Sequence, residues 1–338
     1  KEKDYQPVPV RPPAATLALA PATYAPARPA EIPATSVGGY PNKPVRIVVP
    51  FTPGGSTDFV ARTLSQALSG RLGQPVVVEN RAGAGGMIGV DAVAKSAPDG
   101  YTLLLGSSAN ISIGSQLYRS LPVNVATDLL PVAVLTKAPL MLVVNSGSPN
   151  VSLRSLIDDA RRNPGRLNYA TSGSGSASHL AGVAFTTEAG IDIVQIPYKG
   201  TAPAINDLLS GYVHLTVIES AFAANHVKSG KLRALAVTGD RRQPEFPDVP
   251  TFAELGMPRV DVNPWNGIFV PMGTPAAIVR HLNAEVRRAL QQQEVVDVLA
   301  RSSVQAAPGG SSDEFAAFVR DDTARMARWI KAGNIRVE

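Results

Sequence analysis

Short apolar runs and longer amphipathic stretches alternate along this chain from Pro44 onward. The runs are rich in Val, Ile and Leu and predict strands, whereas the stretches repeat apolar residues every three or four positions and predict helices. Such an alternation predicts an α/β fold in which a mainly parallel sheet is flanked by helices. The first series reads VRIVVPF, a helix over 58–69, PVVVEN, a helix over 87–95, YTLLLGS and PVAVLT.

The strand LMLVVN comes next, and a second α/β series begins later, at LNYAT. Between them, a helix over 153–162 follows Ser152 and ends before Asn163-Pro164-Gly165, a typical helix stop. The remainder of the chain reads LNYAT, a glycine-serine loop, a helix over 179–188, IVQIPYKG, a helix over 203–209, VHLTVIES, LRALAVT, NGIFVPMG, and helices over 275–292, 295–301 and 312–332.

Two α/β series predict two lobes, with a ligand cleft between the carboxyl ends of their strands. Apolar extended segments near 140–146 and 261–265 lack helical partners of their own, so we place the two chain crossings, the hinges, there. The alternative is two independent domains in series, with the helices after Pro275 forming a separate bundle. The predicted limits are 40–142 plus 263–338 for lobe 1 and 143–262 for lobe 2.

Residues 1–39 differ from the rest of the chain. They contain eight prolines and nine alanines and show no apolar period of a strand or a helix, which predicts a disordered tail outside the fold. The TLALA run at 16–20 is too short for the apolar core of a signal peptide and is cut by Pro21. Whether the tail is a linker, a processing remnant or added sequence stays open.

Composition excludes several classes of protein. With 338 residues and 44% hydrophobic content the chain can bury two cores, yet it has no apolar run of the ~20 residues that a membrane span needs. The net charge is +5, but the basic residues are scattered and not interleaved with aromatic residues, which speaks against nucleic-acid binding. The absence of cysteine excludes disulfides and thiolate chemistry.

Cofactor and metal motifs are absent from the sequence. The glycines after PVVVEN do not match G-x-G-x-x-G, because Ile88 occupies the last glycine position. No phosphate-binding P-loop motif is present, and the four histidines have no paired metal-ligand spacing. The sequence therefore predicts neither a cofactor nor a metal site.

The loop FTPGGSTD, residues 51–58, follows the first strand and leads into a helix. Gly54 and Gly55 let the backbone turn closely, and Ser56 or Thr57 is expected to cap a helix that begins near Asp58. The first N–H groups of that helix then point at the loop and favour a carboxylate there. A tight strand-to-helix turn without a ligand is the competing interpretation.

A second loop of this kind, SGSGSASH at 172–179, follows the LNYAT strand. Glycines permit close approach, hydroxyl groups offer donors, and a helix begins near Ser178. The same serines with His179 also fit a serine hydrolase, although no serine occupies the centre of G-x-S-x-G. A flexible serine-rich loop is the third interpretation, and all three stay open at this point.

Three further residues are candidates for the cleft. Tyr198 and Lys199 end another strand of lobe 2, where Lys199 either adds charge to a ligand site or is an ordinary exposed lysine. Trp265, at the predicted second crossing, either closes over a ligand or fills the core of the hinge.

Eight motifs between about Tyr40 and the C-terminus, in the same order, resemble the Bug, or TctC, family of tripartite tricarboxylate transporter receptors. The resemblance implies a two-lobed, type II-like periplasmic binding protein fold. It implies a periplasmic, monomeric receptor that closes on a small organic acid and presents it to a membrane permease, without catalysis. The motifs are FTPGGSTD, VENRAGAGG, PDGYTLLLGS, SGSGSASH, IPYKGTAPAINDLLSG, GKLRALAVTGDRR, PDVPTFAELG and GTPAAIVRHLN.

The resemblance also implies which residues form the site. Relatives often carry aspartates in a G-x-V-D-L strand and just after it, where this chain has His214 and Glu219. The missing aspartate argues against an amino-acid ligand unless Glu219 replaces it. The chain also has Asn263-Pro-Trp-Asn-Gly267 in place of the family's Trp-Tyr-Gly. The implied ligand residues are Phe51, Thr52, Pro53, Gly54, Gly55, Ser56, Thr57, Asp58, Ser107, Ser108, Thr171, Ser172, Gly173, Ser174, Gly175, Ser176, His179, Tyr198 and Lys199, to which we add Glu219 and Trp265.

The function we expect from the sequence is that of an extracytoplasmic solute receptor for a small organic carboxylate, with permease subunits as partners. Two alternatives remain, a serine-dependent hydrolase of a small ester or amide and a periplasmic sensor for a signalling partner.

Overall fold

The computed structural model describes residues 38–117, 123–302, 304–307 and 309–336. The tail predicted at 1–39 lies outside these residues except for its last two. The described residues form two β-sheets with flanking helices, which confirms the predicted α/β class.

The elements alternate much as the sequence predicts, and the ends of the predicted helices differ from the observed ones by at most three residues. The strands are β1 Val45–Val49, β2 Val76–Asn80, β3 Thr102–Ser107, β4 Leu129–Lys137, β5 Leu140–Asn145, β6 Asn168–Thr171, β7 Val194–Pro197, β8 Leu215–Glu219, β9 Leu232–Val237, β10 Trp265–Pro271 and β11 Gln305–Ala306. The α-helices are α1 Ser56–Leu72, α2 Met87–Ala94, α3 Ser115–Leu117, α4 Val125–Asp128, α5 Leu153–Arg162, α6 Ala177–Ala189, α7 Thr201–Ser210, α8 Ser220–Lys228, α9 Ala276–Leu290, α10 Gln293–Arg301 and α11 Ser312–Ala332, with a short 3₁₀ helix at Ala84–Gly86 and a π-helix at Ala109–Gly114.

Each lobe has its own sheet and its own core. Sheet 1 has the strand order β11-β4-β10-β3-β1-β2, and sheet 2 has the order β7-β6-β8-β5-β9. The central strands are buried on both faces because helices cover the two sides of each sheet, which explains their nearly continuous apolar sequences. Helices α1, α9 and α10 pack on sheet 1, and α6 packs on sheet 2.

The two strands that arrive from the other lobe run against the parallel strands of their sheet. β10 is antiparallel to both β3 and β4, and β5 is antiparallel to both β8 and β9. Each enters at the edge where the parallel strands end, so it must run in the opposite direction. The predicted mainly parallel sheets are therefore mixed at the crossings.

The first crossing is shorter than predicted. The predicted hinge near 140–146 is wrong, because β5 occupies this segment and is paired on both sides inside sheet 2. The chain changes sheets at Ala138-Pro139 and returns at Asn263-Pro264, where Ala138 N–H donates to Pro264 C=O at 2.8 Å. The predicted lobe limits at 142 and 263 stay a prediction.

Strand register shows which edges of the sheets lie at the crossings. In sheet 1, Ser107 at the end of β3 pairs with Asn266, just after the second crossing. In sheet 2, Glu219 at the end of β8 pairs with Leu140, just after the first crossing. The carboxyl ends of the parallel strands in both lobes therefore lie at the edges joined by the crossings, as a cleft between the lobes requires.

The last helix, α11, belongs to both cores. Phe315 in its first half packs with Trp265 and Phe269 of sheet 1, whereas Met326 and Trp329 in its second half join the core of sheet 2. We expected all terminal helices to return to lobe 1. The apolar stripe of this helix of 21 residues is long enough to cover parts of both sheets.

No helix within the described residues is long and apolar enough to cross a membrane.

Candidate functional site

The first loop is organised by Asp58, whose side chain points back into the protein. Its carboxylate accepts hydrogen bonds from Gly54 N–H at 3.0 Å, from Asn80 Nδ2 at 2.9 Å and from Arg62 Nε at 2.9 Å. The hydrogen bond from Arg62 is the main reason that the pKa of Asp58 falls to about 2. Asp58 is only 3% exposed, so it holds the loop and offers no free oxygen to a ligand.

Helix α1 begins two residues before the predicted start. It starts at Ser56, its N-cap is Gly55, and no side chain among the described residues caps it, so the predicted capping by Ser56 or Thr57 is wrong. The first-turn N–H groups remain open on the loop side, where Thr52, Pro53, Gly54, Gly55 and Ser56 are exposed. Unpaired N–H groups at the start of a helix of 17 residues form a favourable anion site.

Ser107 and Ser108 lie at the same edge of sheet 1, but both are almost fully buried. The backbone N–H of Ser107 donates to Asn110 Oδ1 at 2.8 Å, and its hydroxyl donates to the same oxygen at 3.3 Å. Asn110 lies in the π-helix that follows β3 and was not among the predicted site residues.

The second loop is held by a group of three serine hydroxyls. Ser178 Oγ accepts from Ser172 N–H at 2.8 Å and lies 3.0 Å from Ser172 Oγ and 2.9 Å from Ser176 Oγ. Ser176 also caps α6 by accepting from His179 N–H at 3.3 Å, and donates to Gly173 C=O at 2.7 Å. Ser174 is exposed, and its hydroxyl makes no hydrogen bond within the described residues.

His179 is a structural member of this loop. Its Nδ1 accepts the N–H of Gly175 at 3.1 Å, and burial lowers the pKa of the ring, which favours the neutral form. Within the part of the chain that the structure describes, no serine hydroxyl hydrogen-bonds to the ring of His179. A serine nucleophile with a histidine base therefore has no geometric support in this loop.

The strand ends next to this loop differ in their roles. Tyr198 is tied by its hydroxyl to Asp207 Oδ2 at 2.6 Å and by its N–H to Thr171 C=O at 3.0 Å. Burial and the bond to Asp207 raise the pKa of Tyr198 to about 12, so it stays a neutral donor. Thr171 is fully buried, whereas Lys199 is exposed to solvent.

Glu219, at the end of β8, lies at the same edge of sheet 2. Its side chain has no hydrogen bond or ion pair within the described residues, and burial raises its pKa. His214, in contrast, precedes β8 and contacts Asn168 at the start of β6, with 2.8 Å between His214 Nδ1 and Asn168 Oδ1. The departure from the family pattern at His214 therefore lies at the far edge of the sheet and carries no information about the ligand.

Trp265 fills the core of the hinge. It is 1% exposed and packs against Phe269, Phe315 and Phe318 at ring-centroid distances of 6.1, 5.6 and 5.7 Å. Its indole N–H donates to Asp322 Oδ2 at 2.8 Å, which leaves no polar atom for a ligand.

A cavity near the crossings is not lined by the predicted loops. This cavity, of about 750 Å³, is lined by residues at and beside the crossings, among them Lys137, Pro139, Thr238, Asn263 and Arg325. Its lining comes from β4, the loop after β9, β11 and α11, and not from the ends of β1, β3, β6 or β7. We place the candidate site on the loops, where unpaired N–H groups and free hydroxyls lie, and not in this cavity.

Comparison with known proteins agrees with this architecture. The sequence matches the family described as "Tripartite tricarboxylate transporter family receptor" over residues 60–335. BugT of Bordetella pertussis is 43% identical over 298 residues, which cover 88% of this chain and 91% of BugT. The chain belongs to the TctC receptor family. These matches confirm the family that the sequence motifs of this TctC receptor suggested.

Solved structures of TctC and Bug proteins share its fold. Rpa4515 of R. palustris, solved with adipate, is 36% identical with a TM-score of 0.72 over 88% of this chain and 99% of its own. MatC from Rhodopseudomonas palustris, solved with bound malate, is 33% identical with a TM-score of 0.67, and the match covers 86% of this chain and 100% of MatC. A TctC solute binding protein from Polaromonas is 29% identical with a TM-score of 0.78, and the match covers 86% of this chain and 99% of that protein. The predicted two-lobed periplasmic binding protein fold is confirmed.

Proposed function

We propose that this TctC receptor binds a small organic carboxylate between its lobes, in the periplasm, and delivers it to the permease subunits of a tripartite tricarboxylate transporter. One observation carries the proposal: helices α1 and α6 each begin at a glycine-rich loop, one in each lobe, and both loops lie at the edges joined by the crossings. The adipate and malate bound to its relatives support a carboxylate as ligand.

The chemistry of the two loops suits an anion that accepts hydrogen bonds. The first loop contributes open N–H groups, and its only carboxylate, Asp58, is fully engaged away from solvent. The second loop contributes the free hydroxyl of Ser174. Donors of this kind at the N-termini of helices, which carry a partial positive charge, can bind a carboxylate without an arginine side chain.

The first prediction concerns binding itself. Purified, ligand-free protein is screened by thermal shift against mono-, di- and tricarboxylates, aromatic acids and amino acids, with calorimetry on every hit. A carboxylate at 100 times its Kd is expected to stabilise the native state by about 2.7 kcal/mol and to raise Tm by roughly 4 °C. A folded protein that responds to none of these compounds contradicts the proposal.

The second prediction concerns Ser174. Replacement by alanine is expected to cost about 1.5 to 3 kcal/mol of carboxylate affinity, because one donor to a charged group is removed. Ser210→Ala is the matched control, since Ser210 is also exposed in lobe 2 and, within the part of the chain that the structure describes, its hydroxyl bonds only to Asp207 C=O at the end of α7. Equal affinity of the Ser174 variant, the control and the wild type, measured by calorimetry, argues against a ligand contact at this loop.

The same variant separates the receptor from the hydrolase. For a receptor, Ser174→Ala weakens binding and neither protein forms a product from p-nitrophenyl esters or from the bound ligand. For a serine hydrolase, wild-type protein forms product, and the variant loses turnover while binding is retained. We propose that no turnover occurs, because the described serines have no histidine base. A receptor and a sensor would bind the same ligand with the same lobes. A pull-down with the permease subunits distinguishes them, because only a receptor that delivers its ligand to the transporter is expected to bind these subunits.

A further inference from the structure

The cavity of about 750 Å³ lies on the side of the crossings away from the two ligand loops. In sheet 1, β4 and β11 lie on one side of β10, whereas β3 and β1 lie on the other. In sheet 2, β9 lies on one side of β5, whereas β8 and β6 lie on the other. The cavity is lined from β4, β11 and the loop after β9, but the ligand loops follow β1 and β6. A rotation about the crossings that narrows the cleft therefore widens this cavity, and the reverse rotation closes it.

Lys137 and Asp240 stand on opposite walls of the cavity. Lys137 ends β4 of lobe 1, and its Nζ lies 5.0 Å from the centre of the ring of Phe318, which lines the same cavity. Asp240 lies in the loop after β9 of lobe 2. Both residues are exposed, and neither has an ion pair within the described residues. The two lobes therefore present unlike charges to each other across a gap.

The other charges of the lining leave this pair available. Arg242 and Arg325 are already engaged in ion pairs of 2.9 and 3.0 Å. Arg241 and Asp321 are exposed and have no ion pair within the part of the chain that the structure describes. These two are also opposite in sign, so they add attraction between unlike charges and no net charge to the cavity.

We propose that Lys137 and Asp240 form an ion pair, the latch, when the cavity closes, and that the latch opposes closure of the ligand cleft; this rests on the proposed function. The latch exists only when the walls of the cavity meet, which is the open state of the cleft. A ligand that binds the closed state must break it, and the apparent affinity is scaled by the fraction of unbound protein that is closed. The latch thereby favours release of the ligand.

The first test removes the two charges from the full chain, with adipate and malate as probes. Lys137→Gln and Asp240→Asn are each expected to bind about twofold to fivefold more tightly by calorimetry, the contribution of one exposed ion pair. The double variant is expected to gain no more than either single variant, because both remove the same pair. Exchange of the charges, Lys137→Glu together with Asp240→Lys, is expected to restore the wild-type affinity.

A second variant keeps the walls of the cavity apart without changing a charge. Ala253 is exposed and lines the cavity from lobe 2, so a tryptophan there occupies the space that the latch needs. Ala253→Trp is expected to bind at least about fivefold more tightly, because the open state is then disfavoured. Ala324→Trp, at an exposed position of α11 outside the lining, is the control for the added ring. Asp248→Asn, at an exposed position of lobe 2 outside the lining, is the control for the lost charge.

A measurement without ligand separates this inference from the proposed function. The chain has no cysteine, so Ile88→Cys with Phe222→Cys takes two spin labels at those sites alone. These residues are 55% and 50% exposed and lie near the starts of α2 and α8, the helices that follow β2 and β8. In the unbound protein, double electron–electron resonance is expected to show shorter distances between the labels in the charge and tryptophan variants than in the wild type.

The outcomes are distinct for the latch and for the receptor. Wild-type affinity and wild-type label distances in the Lys137, Asp240 and Ala253 variants refute the latch while the proposed function stands. Weaker binding by these variants refutes it as well, since contacts across the cavity would then favour the closed cleft. An equal gain in Asp248→Asn or Ala324→Trp also refutes it, because the effect would not depend on this cavity. If the wild type binds no carboxylate, the proposed function fails, and the label distances of the unbound variants still decide whether the latch exists.

Discussion

Alanine in place of Asp322 is expected to lower the free energy of unfolding by about 3 to 5 kcal/mol, the cost of removing one partner of a buried charged pair. Asp322 is 1% exposed and accepts from Trp265 Nε1 at 2.8 Å and from Arg325 Nη2 at 2.8 Å. Arg325 also pairs with Asp261 at 3.0 Å, just before the second crossing. The substitution therefore leaves an indole N–H and part of a guanidinium group without their partner, in the helix that both cores share.

The neighbouring residue provides the control. Asp321 is exposed and has no hydrogen bond or ion pair within the described residues, so Asp321→Ala is expected to change stability by less than about 0.5 kcal/mol. Chemical unfolding, followed by tryptophan fluorescence and by far-UV circular dichroism, measures both variants. Similar midpoints for the two variants would show that this network does not stabilise the hinge.

Alanine in place of Asp58 is expected to weaken carboxylate binding by about 2 to 3 kcal/mol, or roughly 30-fold to 150-fold. Asp58 joins Gly54 of the loop, Asn80 of β2 and Arg62 of α1. Without this carboxylate the loop becomes flexible in the unbound protein. Binding must then order the loop, and the conformational entropy lost in doing so lowers the affinity. Asp99→Ala is the control, because Asp99 lies in lobe 1 before β3 and its ion pair with Lys43, at 3.5 Å, is exposed.

The pKa of Asp58 adds a test by pH. Its pKa in the folded protein, about 2, lies below its ordinary value of 3.8, so the folded state favours the carboxylate form. The resulting stability, up to about 2 kcal/mol, is fully present well above pH 4 and is lost as the pH falls from about 5 toward 2. The difference in unfolding free energy between wild type and Asp58→Ala should shrink over this range. A difference that is constant with pH contradicts the role given to the carboxylate.

The sequence predicted the two strand-to-helix loops more reliably than the roles of the side chains within them. Glycine after a β-branched strand and serine before a helix mark a strand-to-helix loop by local chemistry alone. The bonds of Asp58 to Asn80 and of Ser172 to Ser178 depend on where strands and helices meet. For that reason Asp58 and Ser176, which we expected to contact a ligand, are engaged in holding their own loops.

The sequence by itself determined the alternation of strands and helices, the two α/β series and the family, because periodicity and motifs are local properties of the chain. Only the tertiary structure decided that β5 and β10 run antiparallel at the crossings, that α11 serves two cores, and that Trp265 is buried. These features arise from contacts between residues far apart in the chain, which no local pattern records.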